Sequence, residues 1–377
     1  MRLGTKPINR ERWASFVSSS YICYSMQRVE TRKTRKHTRQ TMIFSSFFSH
    51  DAEPVQLESQ CVDIEQLLAQ GDIQAAYTQA EALLQLALQA GEAYTIAKAR
   101  FMLGNVYFFQ QDYPAALTAY QHAKDLFSQL NEAHSIAVAW HQIGVVYTRM
   151  QDYEQAEQAC HESLAIKNVH GDQADIASTL NQLGNIYSDS GKLEQAVVFY
   201  QQAADIYAQL GDNRYEGVTR SNTADSLIPL HRYDEARVEL QRAIVCKQDG
   251  GHASEPWKTW NILSELEQAM NNPTAAHAAK QQAIHSYLAY RRDGNDNISG
   301  SPVPQFCSGT LRAIQENNAA VAEQELLNLP DQGYFNPVIA KLIALLRGER
   351  NPSLADDPEL DFISAAELLL MLDALSV

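Results

Sequence analysis

A 40-residue spacing runs through the middle of this sequence and constrains its fold more than any other feature. The stretches "LGNVYFFQQDYPAALTAYQHAKDLF" and "LGNIYSDSGKLEQAVVFYQQAADI" begin 80 residues apart, and a related stretch lies midway between them. The shared positions are Gly104, Gly144 and Gly184, then Tyr107, Tyr147 and Tyr187, and then Ala116, Ala156 and Ala196. Such a period predicts a repeat architecture in which each copy is one structural unit.

Weaker copies extend the array in both directions. The matching positions are Ala224, Ala236 and Ala243, then Ser264, Ala276 and Ala283, and, before the clear copies, Ile64, Ala76 and Ala80. We therefore predict six units over residues 55–292. Loss of pattern toward the ends is expected because the terminal units of a stacked array face solvent.

Each copy predicts two helices. In the second, Ala116, Tyr120, Ala123 and Phe127 recur at steps of three and four residues and form one apolar face. Small residues such as Gly104 let the two helices approach closely, so a large residue at these positions would force them apart. One helix pair cannot bury enough apolar surface alone, so each pair must pack on its neighbours.

This pattern resembles the tetratricopeptide repeat in its longer 40-residue form. The resemblance rests on Leu103, Gly104, Tyr107, Ala116, Tyr120 and Ala123, and on Leu183, Gly184, Tyr187, Ala196, Tyr200 and Ala203. It is most similar to kinesin light chains, Pins-type proteins and bacterial signalling arrays. It implies an all-α fold, a right-handed α-solenoid of about six helix pairs with a C-terminal helical appendage. The later units depart from the pattern at Ala224, Leu227, Pro229, Ser264 and Glu267.

The resemblance also implies that the first helix of each unit lines a groove that binds a partner. The expected groove residues are Asn105, Phe108, His141, Gln142, Val145, Arg149, Asn181, Gln182, Asn185, Asp189, Ser221, Asn222, Asp225, Asn261 and Glu265. Amide side chains both donate and accept, so they can pair with the backbone of an extended peptide. The alternative is a solvated helix face. A clamp for a terminal carboxylate is incomplete, because Asp189, Asp225 and Glu265 would oppose it.

The expected function is that of a protein-interaction scaffold or adaptor that holds a peptide or partner segment in this groove. The alternative is a regulatory sensor whose curvature responds to a bound peptide or small ligand. Neither function requires a cofactor, and an enzyme is not expected.

Charge favours neutral or basic partners. The net charge is −15, yet residues 1–50 carry ten Lys/Arg and two Asp/Glu, so residues 51–377 carry −23. An acidic body repels phosphate backbones, which argues against nucleic acid. The five cysteines form no CxxC pair, which favours a reduced, cytoplasmic setting. No apolar run approaches the roughly 18 residues that span a bilayer.

Residues 1–50 differ from the rest of the chain. The block "TRKTRKHTRQ" is basic and has no apolar periodicity, which predicts disorder. It could be a basic arm that touches acidic surfaces, a transit peptide, or an upstream extension of a chain whose true start is Met42.

Motifs for metal and catalytic chemistry are incomplete. The stretch "DGNDNISG" has acidic and amide residues at calcium-loop spacing, but Ile298 takes the glycine position and Pro304 takes that of the bidentate glutamate. His141, His161 and His170 do not form an HExxH motif. No phosphate-binding glycine loop and no GxSxG motif occurs. We therefore expect neither a metal site nor a catalytic residue.

The C-terminal part is expected to be a linker, residues 293–305, followed by a helical cap region, residues 306–377. Helices are predicted at Leu311–Leu327, Pro337–Arg347 and Pro358–Leu375. The last is apolar nearly all round and must be buried. We expect it to cap the solenoid; the alternative is a helix that forms a homodimer or docks a partner.

Overall fold

One residue in the left-handed region of backbone space sets the turn inside each helix pair. It recurs every 40 positions with φ from 58° to 79°, as Gly71, Gln111, Gln151, Gly191, His231 and Asn271. In three turns the next residue caps the second helix: Asp72 Oδ1 accepts from the Ala75 amide at 3.0 Å, Asp112 Oδ1 from the Ala115 amide at 3.1 Å, and Asp152 Oδ1 from the Gln155 amide at 3.3 Å. The turn sequence thus ends the first helix and starts the second.

The computed structural model describes residues 52–170, 173–248, 255–294, 303–328 and 335–376. All regular structure in these ranges is helical, and the chain divides into two units, residues 1–210 (unit 1) and 211–377 (unit 2). The predicted all-α class is confirmed. The predictions for residues 1–50, including Met42 as the start, lie outside the described residues, as does the central part of the predicted linker.

The described part of unit 1 holds eight helices. They are α1 (Ala52–Ala69), α2 (Ile73–Ala90), α3 (Ala93–Phe109), α4 (Tyr113–Gln129), α5 (Ala133–Arg149), α6 (Tyr153–His170), α7 (Gln173–Asp189) and α8 (Leu193–Leu210). The described part of unit 2 begins with α9 (Asn213–Leu227), α10 (Tyr233–Gln248), α11 (Pro256–Ala269) and α12 (Pro273–Arg292). Consecutive helices pair as α1 with α2 through α11 with α12, and within each unit the second helix of a pair also packs on the first helix of the next.

The glycine of each clear repeat is required by a contact inside its helix pair. A Cβ atom on Gly104 would lie 2.6 Å from the Tyr120 ring, and one on Gly184 would lie 2.5 Å from the Tyr200 ring. Tyr200 cannot easily swing away, because its hydroxyl donates to Asn185 Oδ1 at 2.7 Å. The next repeat of the array solves the same packing problem with Ala224 and Leu240 at the matching positions, both fully buried.

Replacing Gly184 with alanine should therefore lower the free energy of unfolding by about 1–3 kcal/mol through overpacking. Tyr200→Leu alone should cost about as much, because it leaves a cavity and removes the partner of Asn185. The double variant copies the Ala224–Leu240 combination. Its loss in free energy of unfolding should therefore be smaller than the sum of the two single losses by at least about 1 kcal/mol. Urea unfolding of the four proteins measures this coupling, and strictly additive losses would contradict the proposed contact.

A second repeated position links each helix pair to the next, with different chemistry in different copies. In unit 1, Tyr187 donates to Glu157 Oε1 at 2.7 Å. At the same positions 80 residues later, in unit 2, Arg237 donates to both carboxylate oxygens of Glu267 at 2.9 Å. Glu267 stands where the clear repeats have tyrosine. The link is kept because donor and acceptor have changed places: the acceptor now lies on the first helix and the donor on the second.

The C-terminal helices of unit 2 are α13 (Val303–Gln315), α14 (Ala319–Leu327), α15 (Asn336–Leu346) and α16 (Phe362–Leu375), with a 3₁₀ turn at Pro352–Asp356. Helix α16 is buried against α12 and α13. Glu367 on α16 accepts from the Tyr287 hydroxyl at 2.7 Å and lies 2.8 Å from Arg291 Nε. These contacts join α16 to the second helix of the last pair, and we propose that the C-terminal helices cap unit 2. A homodimer through α16 stays a prediction.

Three predicted boundaries in this region are wrong. Residues 311–327 form parts of two helices because Asn317, with φ of 58°, breaks the helical path. Helix α13 begins at Val303, inside the predicted linker. The last helix begins at Phe362 and not at Pro358, because Asp361 supplies the N-cap by accepting from the Ser364 amide at 2.8 Å.

Candidate functional site

The first helices of neighbouring pairs contact each other directly: α1 with α3 and α5 with α7 in unit 1, and α9 with α11 in unit 2. In each unit, the surface of these helices, which we call the first-helix face of that unit, carries half-buried or exposed side chains at the predicted groove positions. In unit 1 these are Phe108, Arg149, Asn181, Asn185 and Asp189; in unit 2 they are Asn222, Asp225, Asn261 and Glu265.

Six of the predicted groove residues lie inside the helix packing instead. They are Asn105, His141, Gln142, Val145, Gln182 and Ser221, each at most 9% exposed. Asn105 Oδ1 accepts from the Tyr120 hydroxyl at 2.7 Å, and the Ser221 and Thr259 hydroxyls are 2.9 Å apart. Because these six side chains are buried within the array, they are not available to contact a partner. The first-helix face is therefore smaller than the sequence predicted.

His141 belongs to a buried polar cluster between α5, α6 and α7. Its Nδ1 lies 3.3 Å from Thr179 Oγ1, which also accepts from Lys167 Nζ at 2.9 Å. Burial, and then the Lys167 charge, lower the pKa of His141 well below its usual value. The neutral imidazole therefore serves as a packing and hydrogen-bonding group at neutral pH.

In unit 1, the first-helix face is held in place by its own contacts. The Arg149 guanidinium lies over the Phe108 ring at 5.9 Å. Burial lowers the pKa of Arg149, while nearby Tyr113 and Asp189 act in the opposite direction. On α7, Asn185 Nδ2 donates to Gln182 Oε1 at 3.3 Å. The resulting surface places an aromatic ring, a cation, amides and a carboxylate on three successive first helices.

In unit 2, the first-helix face is acidic. Asp225 lies on α9, and Glu265 lies on α11, where Asn261 Nδ2 donates to Glu265 Oε1 at 2.8 Å. Asn222 precedes Asp225 by three residues, so the two side chains share a helix face. This part of the face presents carboxylates beside amides.

Sequence reasoning missed the structural role of the asparagine in "LGNxY". Asn105 and Asn185 each accept from the tyrosine 15 residues later, Tyr120 and Tyr200. The copy between them replaces both partners together, with Val145 and Cys160. That paired replacement within one chain is the signal that could have identified the contact.

In the part of the chain that the structure describes, no three His, Cys, Asp or Glu side chains are placed to hold a metal ion. Within the same ranges, no helix has both the length and the apolar composition needed to cross a bilayer.

Comparison with known proteins supports the fold. Residues 135–209 match the sequence model of the tetratricopeptide repeat. The apo form of RapI is similar with a TM-score of 0.56 and 12% identity, over 95% of this chain and 97% of that one. BtubC (BKLC) from P. vanneervenii has a TM-score of 0.51 and 18% identity, over 65% of this chain and 96% of that one.

A third similar structure is a signal transduction ATPase with numerous domains from Pyrococcus horikoshii, which carries a tetratricopeptide repeat sensor. Its TM-score is 0.55 at 12% identity, over 65% of this chain and 38% of that one. A search of the curated proteins gave no match. The matched repeats lie within α5 to α8, and the helix pairs around them follow the same 40-residue plan. Residues 135–209 are therefore tetratricopeptide repeats, and the chain has the all-α fold of a tetratricopeptide-like solenoid.

Proposed function

We propose that this chain is a protein-interaction scaffold that binds a segment of a partner protein on its first-helix face. The observation that carries the proposal is the pre-arranged surface around Arg149: Arg149 on α5 lies over the Phe108 ring on α3, and on α7 Asn185 is held by its hydrogen bond to Gln182. A surface whose side chains are already ordered loses less conformational entropy when a partner binds. Amides on such a surface can pair with an extended backbone.

The partner segment is expected to be neutral or basic. Asp189 lies on the unit 1 part of the face, and Asp225 and Glu265 lie on the unit 2 part. Carboxylates on a binding face favour lysine and arginine in the partner and raise the rate of association with it. The acidic balance of residues 51–377 acts in the same direction. The cytoplasmic setting stays a prediction.

Peptides selected from a random displayed library against the full chain provide the test. We expect the binders to be rich in Lys and Arg. Either Asp189→Asn in unit 1, beside Arg149, or Asp225→Asn with Glu265→Gln in unit 2 should weaken them by about tenfold, or 1.4 kcal/mol. The matched controls are Asp234→Asn and Gln195→Ala, which change exposed residues on the second helices α10 and α8. Binding that falls equally in the control variants, or in neither set, would reject the first-helix face as the site.

Complexes of the chain with the selected peptides also distinguish a passive scaffold from the alternative function, a sensor whose curvature changes on binding. A scaffold should keep its solution-scattering radius when the selected peptide binds. A reproducible change in that radius, absent from the Asp225→Asn/Glu265→Gln variant, would favour the sensor.

A further inference from the structure

A cavity of about 250 Å³ lies in unit 1 between the second helices α4 and α6, and α5 forms its floor. Trp140 and Tyr147 on α5 provide its aromatic surface, and the exposed Gln155 and Gln158 on α6 lie at its edge. Its volume is slightly below that of most small-molecule sites, which favours one or two anchor residues of a partner chain. None of the residues that line it belongs to the first-helix face, so the two surfaces are distinct.

The next copy of the repeat shows why this space is open. There, the Phe199 ring stacks on the Tyr187 ring, with ring centres 5.2 Å apart and an angle of 10° between the planes. At the matching positions 40 residues earlier, the cavity is lined by Tyr147 and by Ala159, which has no ring to stack on the tyrosine. Trp140 lines the same space without filling it. The cavity therefore has room for a ring that another chain supplies.

Two hydrogen-bond donors of the cavity are available to a ligand. The Tyr187 hydroxyl donates to Glu157, but the residue 30 positions before Tyr147 is Leu117, whose side chain cannot accept. Among the residues that the structure describes, neither the Tyr147 hydroxyl nor the Trp140 indole N–H has a hydrogen-bond acceptor. The indole N–H can only donate. A matching ligand therefore offers acceptors such as backbone carbonyls.

The charges at the cavity balance each other. Lys124 Nζ lies 3.2 Å from Asp125 Oδ1 and 4.4 Å from the centre of the Trp140 ring. Of the described residues that line the cavity, these two alone carry a formal charge at neutral pH. A charged ligand would find no unmatched counter-charge here, so a neutral ligand is favoured. The lysine covers one side of Trp140, which leaves the Tyr147 ring as the surface for stacking.

We propose that this cavity binds a proline-rich segment of a partner protein, with one pyrrolidine ring on Tyr147 in the place that Phe199 takes in the next copy. Proline-rich segments are neutral and dock on aromatic-lined surfaces as polyproline helices. Their backbone has no internal hydrogen bonds and few N–H groups, so its carbonyls can accept from the Tyr147 hydroxyl and the Trp140 N–H. The amides of Gln155 and Gln158 can donate to further carbonyls. A segment that is already extended also loses little conformational entropy on binding.

Calorimetric titration of the full chain with an acetylated and amidated octaproline peptide tests the site. We expect one peptide per chain, bound at least about tenfold more tightly than a flexible glycine–serine peptide of equal length. Tyr147→Phe should weaken octaproline binding by about two- to tenfold, because it removes one hydrogen bond. Trp140→Leu with Ala159→Phe reproduces the Leu180–Phe199 combination of the next copy and should abolish binding by filling the cavity.

Two control variants locate the binding. Gln155→Ala should weaken it by about two- to tenfold, whereas Gln195→Ala, at the matching exposed position of the next copy, should leave it unchanged. Asp189→Asn, on the first-helix face of the same unit, should also leave it unchanged. Failure of octaproline to bind is therefore distinguishable from failure of the first-helix face to bind its own basic partners.

The proposal is overturned if octaproline binds no more tightly than the glycine–serine peptide, or if the Trp140→Leu/Ala159→Phe variant binds it as the native protein does. Should that variant fail to fold, Tyr147→Phe and the comparison of peptides still decide. A glycine–serine peptide with one central phenylalanine that binds more tightly than octaproline would assign the cavity to an aromatic side chain and reject proline. No binding of octaproline at about 1 mM rejects the site.

Discussion

Replacing Arg220 with leucine should lower the free energy of unfolding by about 3–5 kcal/mol, because it leaves buried carboxylates without their cation. Arg220 is 1% exposed and donates to Glu216 at 2.6 Å and to Glu239 at 2.8 Å. Arg242 lies 3.6 Å from Glu216, on the exposed side, and can compensate only in part. The single variant therefore places two negative charges close together inside unit 2.

The preceding repeat offers a matched rescue, because it fills the same three positions with apolar side chains. These are Ile176, Leu180 and Phe199. Copying them as Glu216→Ile, Arg220→Leu and Glu239→Phe should restore the stability to that of the native protein or exceed it by about 1–4 kcal/mol, as buried ion networks often allow. Urea unfolding of the native protein, the single variant and the triple variant compares their free energies of unfolding. A triple variant as unstable as Arg220→Leu would show that the network supplies more than charge balance.

Replacing either buried lysine with methionine should lower stability relative to the native protein by a growing amount as the pH rises above about 8. Burial lowers the pKa of Lys167 and Lys247 to about 8, against about 10.4 in an unfolded chain. Below pH 8 both states are protonated and the folded state bears the full cost of the buried charge. Between the two values the unfolded state binds more protons, so native stability rises with pH. Over this whole pH range, the free energy of unfolding of the native protein rises by about 3 kcal/mol for each lysine.

The buried thiols oppose this rise in stability with pH. The quantity to measure is therefore the difference in free energy of unfolding between each variant and the native protein, in which the effect of the thiols cancels. Burial raises the pKa of Cys160 to about 12 and also raises that of Cys307, and each thiol makes folding less favourable as unfolded thiols ionise above about pH 8.5. From pH 7 to 9.5, the free energy of unfolding of Lys167→Met should fall by about 2 kcal/mol relative to that of the native protein. Lys192→Met, at a side chain 53% exposed, is the control. A difference in the free energy of unfolding between Lys167→Met and the native protein that does not change with pH would refute the buried-charge account.

The fold was predictable because its information is periodic. One glycine, one tyrosine and a few alanines at a 40-residue spacing determine where two helices meet, and six helix pairs follow from counting. The C-terminal region lacks that repetition. There, the break at Asn317 and the cap at Asp361 depend on local backbone geometry, which apolar periodicity does not report.

The candidate site was only partly predictable. Helical spacing selects residues on the same side of a helix, but it cannot say how deeply a neighbouring pair covers them. Asn181 remains half-buried on the first-helix face, whereas Gln182, the next residue, turns into the packing and donates to Thr148 Oγ1 at 3.0 Å.

The inter-pair links have a consequence for assembly. Copies that resemble one another can dock in the wrong order, a common failure of repeat proteins. If the helix pair containing Glu157 docked against the one containing Glu267, two carboxylates would meet where the native neighbours offer Tyr187 and Arg237. At these two junctions the charges therefore disfavour one exchange of neighbours, so the chain carries information about the order of its helix pairs as well as about the shape of each pair.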